Sequence, residues 1–278
     1  MESLEGVLVQ IASGGVTDMG RVRGNNEDSF RIVNPLHLFV LSDGMGGEAH
    51  GEVASSLAVE TIVKYCSQAK EDSAVTLTAE SRDNWSDKTR QLQNAVRAAN
   101  LSIFESAQKH AEQRGMGATV TAAWLNEGKL SIAHVGDSRA YLLRSGSLQQ
   151  LTNDHSLVAE QVRRGIISPQ QAEESEMQSV LLRALGAHND VEVDVDETAI
   201  YSGDVLLLCS DGLTRMVTEP EIAGTLQAET NPSAAAQRLI DLANDNGGLD
   251  NITAIVARFQ DEPKGWLSWL RRGSGKRD

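Results

Sequence analysis

Four short acidic motifs, each set where an apolar run meets a turn, restrict this chain more than any other feature of it. They are Asp43-Gly44-Met45-Gly46-Gly47 after the run Leu36 to Leu41, Gly136-Asp137-Ser138 after Leu130 to Val135, Asp211-Gly212 after Val205 to Cys209, and Asp250-Asn251 before Ile252 to Phe259. An ionised carboxylate taken out of water at the end of a buried strand costs far more than one hydrogen bond returns. A fold that buries these runs therefore has to gather the carboxylates around a cation. Asp oxygens, carbonyls freed by glycine turns and retained water suit a hard ion such as Mg²⁺ or Mn²⁺, whereas zinc would draw on His and Cys.

The remaining composition narrows the setting. A chain of 278 residues with 40% hydrophobic content can bury a sizeable core, and nothing in it reads as a linker between two cores. The formal net charge of -14 disfavours nucleic acid as a partner, because binding it depends on neutralising phosphates with Lys and Arg. Phosphate chemistry on such a body has to rest on bound metal and a local Arg. Cys66 and Cys209 cannot build a disulfide framework or a zinc site and are expected to be buried, inert thiols. The N-terminal residues lack a secretory pattern and no run approaches a membrane span, so a cytoplasmic protein with no integral membrane segment is expected.

Strands are expected over Val7 to Ala12, Asp28 to Val33, Leu38 to Leu41, Ala118 to Leu125, Lys129 to Val135, Arg139 to Leu143, Val205 to Cys209 and Ile252 to Phe259. Short turns such as Asn126-Glu127-Gly128 and Ser145-Gly146-Ser147 imply antiparallel neighbours. Helical periodicity marks Gly51 to about Tyr65 and about Asp87 to Gln113, with a surface loop over Ser67 to Ser86 and further helices starting near Glu219 and Pro232. The fold class is α+β: an antiparallel β-sandwich of two central sheets flanked by paired α-helices. Asp43 and Asp211 are expected just past the C-terminal ends of their strands and Asp250 just before the start of its own. For all three to meet one metal pair, the last strand must run opposite to the other two.

The series Thr17 to Asp28 with Arg23-Gly24-Asn25-Asn26-Glu27-Asp28, Ser42 to Gly47, Val135 to Ala140, Ser210 to Leu213 and Asp250 to Thr253 resembles, in order, the motifs of the metal-dependent serine/threonine protein phosphatases of the 2C type, bacterial stand-alone branch. The resemblance runs from about residue 11 to 259 and implies hydrolysis of phosphoserine and phosphothreonine in proteins by a water or hydroxide bridging two Mg²⁺ or Mn²⁺ ions. It implies that Asp43 bridges the ions, that the Gly44 carbonyl ligates the first, and that Asp211 and Asp250 ligate the second. Glu27 and Asp28 would hold waters of the first ion, Asp137 with Asp211 would form a weaker third site, and Arg23 would grip the phosphate. Met45 stands where eukaryotic relatives carry a His, so no general acid is assigned.

The same resemblance implies phosphorylated proteins as partners, a bacterial Ser/Thr protein kinase as the opposing enzyme, a single catalytic domain over 1–262 and a monomer. A helical flap is expected at about 152–186, with helices over Ser156 to Arg164 and Pro169 to Glu176. Residues 263–278 read as a short basic, Trp-containing, flexible tail. Of the histidines, His134 reads as a core residue and His155 as a substrate-contact candidate. A binding-only pseudophosphatase is disfavoured by the intact Arg23, Asp43, Asp211 and Asp250, and a two-metal nuclease by the acidic surface.

Overall fold

The computed structural model describes residues 9–46, 50–71 and 85–261. Its strands are β1 (Val9–Asp18), β2 (Asp28–Val33), β3 (Leu38–Met45), β4 (Gly117–Ala118), β5 (Val120–Asn126), β6 (Lys129–Val135), β7 (Arg139–Arg144), β8 (Ser147–Gln150), β9 (Asp194–Ala199), β10 (Val205–Cys209) and β11 (Ile252–Asp261). They form one sheet in the order β1-β11-β10-β7-β8 and a second in the order β2-β3-β5-β6-β9, with β4 paired to β3. Every pairing is antiparallel. The helices are α1 (His50–Glu71), α2 (Asp87–Lys109), α3 (Leu157–Arg163), α4 (Pro169–Glu173), α5 (Asp211–Thr214), α6 (Glu219–Ala228) and α7 (Pro232–Asp245).

Alternation along the central strands divides the core into three. Phe39 and Leu41 of β3 meet Leu206 and Leu208 of β10 and Ile255 and Phe259 of β11 between the sheets. Leu38 and Val40 turn the other way, onto Ala58, Ile62, Leu92 and Val96 of α1 and α2. Leu207 and Cys209 likewise face Leu239 and Ile240 of α7. The result is a helix–sheet–sheet–helix stack. Because both faces are covered, Leu38–Leu41 of β3 and the whole of β10 read as unbroken apolar runs. Each fully buried Leu or Phe contributes about 1.5–3 kcal/mol.

Local signals account for most of the joints. In the β5–β6 turn Glu127 and Gly128 have φ of 50° and 76°, and in the β7–β8 turn Ser145 and Gly146 have 50° and 82°. These are two-residue hairpin turns that match the strand twist. Thr218 and Glu221 form a capping box ahead of α6, and Asn231 accepts from the Ala234 N–H ahead of α7, each followed by Pro in the first turn.

Several boundaries differ from the sequence expectation, among them α2, which ends at Lys109 and not Gln113, and α4, which ends at Glu173 and not Glu176. β1 runs past Ala12 to Asp18, through Gly14 and Gly15. A Cβ on Gly14 would lie 2.2 Å from the Ser233 Oγ of α7, and one on Gly15 2.7 Å from the Phe30 ring, so these glycines permit close packing and mark no turn. β3 continues through Asp43 to Met45, which places Asp43 within the strand and not beyond it. The expected strand Ala118 to Leu125 is interrupted at Thr119, between β4 and β5. α1 continues to Glu71, while the rest of the expected loop, at 72–84, lies outside the described residues. The tail at 263–278 also lies outside them.

Candidate metal centre

At one end of the sandwich the turns that carry the acidic motifs are pinned to one another. Thr119 brackets Asp43: its N–H donates to the Asp43 carbonyl at 2.8 Å, and its Oγ1 accepts from the Asp43 N–H at 3.0 Å. The same Oγ1 lies 2.8 Å from the Ser138 hydroxyl, which ties the Asp137 turn to β3. Gly136 has φ 115°, and a Cβ there would fall 2.6 Å from Thr119, so this turn needs glycine. Gly44 is equally confined, since its Cβ would meet the Gly51 carbonyl oxygen at 2.0 Å.

The other sheet brings Asp211 and Asp250. β10 and β11 are antiparallel, with Cys209 opposite Ala254, so the end of one strand adjoins the start of the other. The two turns pack as the strand directions require: a Cβ on Gly212 would lie 2.1 Å from the Asn251 carbonyl oxygen. Asn251 then anchors the segment before β2, with its Oδ1 accepting from the Glu27 N–H at 2.8 Å and its Nδ2 donating to the carbonyls of Asn25 at 2.8 Å and Met19 at 3.0 Å. Asp28 joins the sheets, its Oδ2 accepting from Thr253 Oγ1 at 2.6 Å and Ser210 Oγ at 2.8 Å.

Around a cavity of about 440 Å³ the structure gathers Arg23, Glu27, Asp43, Gly44, Asp137, Asp211 and Asp250. Of the residues expected around the metals, Asp28 alone is outside that lining, and it stands opposite Asp43 in the β2–β3 ladder. Met45 also lines the cavity and has no proton to donate. Arg23 donates from Nη2 to Asp250 Oδ2 at 2.7 Å. Arg215, which sequence reasoning did not single out, pairs with Asp211 at 2.7 Å and lies 3.7 Å from Asp250. Its signal was the i, i+4 spacing from Asp211 on a short helix.

The electrostatics describe carboxyls forced together. Burial, and then the charges of Asp28, Asp211 and Asp137, hold the Asp43 carboxyl well above the usual range. Burial pushes Asp28 up to about 7 against the hydrogen bonds from Thr253 and Ser210, and pushes Asp137 up to about 8 with help from Asp211. Asp211 is raised by burial and Asp250, against the pull of Arg215. A divalent cation relieves this repulsion more fully than protons do. The donors around the cavity are oxygens, with no His or Cys, and the buried Oδ1 of Asp28 has no hydrogen-bond partner among the described residues. Among the described residues no three of these side chains stand in a closed coordination sphere. Mg²⁺ and Mn²⁺ fit such a site, since Mg²⁺ in particular keeps several waters and uses one or two carboxylates.

His155 is not a substrate contact. It is 4% exposed, its Nδ1 accepts from the Gly136 N–H at 3.0 Å, and its Nε2 lies 3.1 Å from Asp194 Oδ2. That arrangement supports the turn that presents Asp137. His134 is a core residue as expected, held by Thr121 Oγ1 at 3.0 Å and the Asn153 carbonyl at 3.2 Å.

A fold of two antiparallel sheets between helix pairs, with Asp-Gly turns converging at one end, defines a protein phosphatase 2C catalytic domain, and residues 21–244 match the family model described as Protein phosphatase 2C. The chain belongs to that family and is a serine/threonine phosphatase by membership. It is 40% identical over 252 residues to the serine/threonine phosphatase stp of Listeria innocua, covering 90% of this chain and 96% of that protein. The crystal structure of the Mycobacterium tuberculosis serine/threonine phosphatase PstP/Ppp superimposes with a TM-score of 0.80 at 37% identity, over 91% of this chain and 100% of that one. The catalytic domain of PstP in complex with 2 manganese ions gives a TM-score of 0.78 at 36% identity, over 91% and 99%.

Proposed function

We propose that this chain hydrolyses phosphoserine and phosphothreonine in proteins, with Mg²⁺ or Mn²⁺ at the carboxylate cluster, in opposition to a Ser/Thr protein kinase. The observation that carries the reading is the convergence of Asp43 and Gly44 from one sheet with Asp211 and Asp250 from the other on one cavity that also holds Arg23. In this reading Asp43, Gly44, Asp211 and Asp250 hold two core ions, Asp137 shares a weaker third with Asp211, and Glu27 and Asp28 order the surrounding water. Bound there, hard divalent ions neutralise phosphoryl oxygens and acidify a water enough to serve as nucleophile near neutral pH.

The chain's own residues supply position. Arg23 is 54% exposed at its side chain and presents a planar fork of donors at the cavity mouth, matched to phosphate oxygens. Its hold on Asp250 keeps that fork oriented in the absence of substrate. Arg215 steadies Asp211, and Thr119, Ser138 and Asn251 fix the turns within hydrogen-bond tolerance. No side chain is assigned as general acid. Cys66 and Cys209 are buried and unpaired, which favours work in a reducing cytoplasm, by a monomeric domain over 1–262.

The test is phosphate release from a phosphothreonine peptide, a phosphotyrosine peptide and single-stranded nucleic acid, each with Mn²⁺, with Mg²⁺ and with chelator. Release from the phosphothreonine peptide alone, abolished by chelator, is expected. Binding without release would identify a pseudophosphatase, and cleavage of nucleic acid would identify a nuclease.

A further inference from the structure

A second cleft, of about 850 Å³, opens beside the carboxylate cavity and shares Asp137 and Asp211 with it. One wall is the segment that carries α3 and α4, and the other is the junction of α5 and α6. The volume is at the upper end of the roughly 300–1,000 Å³ typical of ligand clefts, so it holds a stretch of peptide and not a lone ion. A chain whose phosphorylated residue sits at Asp43 and Asp211 has this cleft next to it on one side.

The lining has a charge asymmetry. Each arginine on it is paired with a carboxylate: Arg139 with Asp154 at 2.7 Å, Arg163 with Glu160 at 2.6 Å, which Arg164 shares, and Arg215 with Asp211 at 2.7 Å. Besides the buried Asp137 of the metal cavity, two carboxylates on the lining, Glu173 at the end of α4 and Glu219 at the start of α6, are in no ion pair among the described residues. They come one from each wall, and both are exposed. Glu219 accepts only a long hydrogen bond, 3.4 Å, from the buried Tyr141 hydroxyl. The lining is mixed, and it includes apolar side chains from both walls, Val158 and Val162 of α3 on one and Met216 and Pro220 on the other. Apolar contacts with an acid on each wall match a side chain that has a hydrocarbon stem and a cationic head.

Resting on the function proposed above, we propose that this cleft selects phosphoprotein segments carrying Lys or Arg close to the phosphorylated residue, with Glu173 and Glu219 as the specificity-determining groups. Glu219 also lies in the first turn of α6, where an acid is favoured by the helix dipole alone, so the test has to separate recognition from helix support. Both residues act on substrate choice and neither touches the reacting atoms.

The experiment scans a single Arg, against Ala, through the positions flanking phosphothreonine in one peptide, and measures kcat/KM for the wild-type chain with Mn²⁺. Hydrolysis of p-nitrophenyl phosphate, which is too small to reach the cleft, is the control. Arg at one or two positions is expected to raise kcat/KM about 3- to 10-fold, an advantage that shrinks in high salt, as for partly exposed ion pairs. The Glu173→Gln/Glu219→Gln double variant is expected to lose that advantage while its aryl phosphate turnover stays at the wild-type level. Glu173→Lys, on the wall without the helix-dipole role, is expected to shift the preference toward peptides with Glu. A flat scan in the wild type, or an Arg preference that survives in the double variant, overturns the assignment while leaving the phosphatase reading intact. Absence of turnover on both peptide and aryl phosphate overturns that reading and this one together.

Discussion

Asp28 and Asp43 stand directly opposite each other in the antiparallel β2–β3 ladder, two carboxyls across one register position at the centre of the site. Like charges so placed destabilise a sheet, and burial raises both further. In metal-free protein the linkage has a definite sign. The Asp28 carboxyl, at about 7 in the folded chain against 3.8 for the free side chain, gives stability that is present below the lower value and lost as pH rises through the upper one. With chelator present, the thermal midpoint should therefore fall between pH 5 and pH 8, and Asp28→Asn should flatten that fall and raise the midpoint at pH 8 by roughly 3–6 °C. A wild-type midpoint that climbs over this range, with no gain in the variant, would remove the conflict between the two carboxyls.

Removal of a charge from the metal-facing set should act on turnover and not on folding. Asp43→Asn and Asp211→Asn are expected to lower kcat by roughly 100-fold or more, given that loss of mere supporting groups around a metal costs 10–100-fold. Circular dichroism should remain near that of the parent, while the metal-free melting midpoint at pH 8 should hold or rise, as the crowding of buried carboxylates is relieved. Near-normal turnover of Asp211→Asn at saturating Mn²⁺ would take Asp211 out of the site.

Arg23 offers a cleaner separation. Arg23→Ala deletes a phosphate donor and at the same time frees Asp250 from its 2.7 Å ion pair. Calorimetric Mn²⁺ affinity should hold or improve, whereas KM for a phosphothreonine peptide should rise about 10-fold, in line with about 1.5–3 kcal/mol for a charge-assisted hydrogen bond. An unchanged kcat/KM would make Arg23 a structural residue.

Asp137 and Asp250 should divide the metals between them. Asp137→Ala is expected to leave two tight Mn²⁺ ions per chain in calorimetry, while slowing turnover and raising the metal concentration for half-maximal rate, because a site with few carboxylates is weak. Asp250→Ala is expected to lose one of the tight ions. Loss of a tight ion from Asp137→Ala would reverse these roles.

Gly44 carries a steric prediction. The missing Cβ would sit 2.0 Å from the Gly51 carbonyl oxygen and 2.8 Å from that of Glu27, both backbone atoms that cannot swing aside. Gly44→Ala should thus cost about 1–3 kcal/mol by overpacking and weaken metal binding by displacing β3 from α1. A variant with parental melting and Mn²⁺ affinity would show that α1 yields without strain.

Much of this was readable because its physical cause is local. Lys129–Val135 and Val205–Cys209 have the same bounds in sequence and structure, since apolar runs between turn residues mark strands covered on both faces. α6 and α7 start where cap and proline signals placed them. β8 and β9 escaped notice because Ser147–Gln150 and Asp194–Ala199 are sheet-edge strands, polar on the exposed side and short of apolar signal. The carboxylates of the site stood out because Asp at a strand end is costly. Thr119, Ser210 and Thr253 did not, since a buried hydroxyl in an apolar run has the same sequence appearance whether it supports an acid or merely packs.

Asp43 belongs to one sheet, Asp211 and Asp250 flank strands of the other, and the layers meet through apolar side chains such as Phe39, Leu41, Leu206, Leu208 and Phe259. Apolar surfaces can slide by a fraction of a side chain at modest cost, but oxygens that must serve a common ion cannot. The catalytic end therefore works as a gauge of alignment between the layers: a shift too small to unfold the sandwich is enough to disperse its donors, so turnover reports the seating of one sheet on the other more finely than any melting curve.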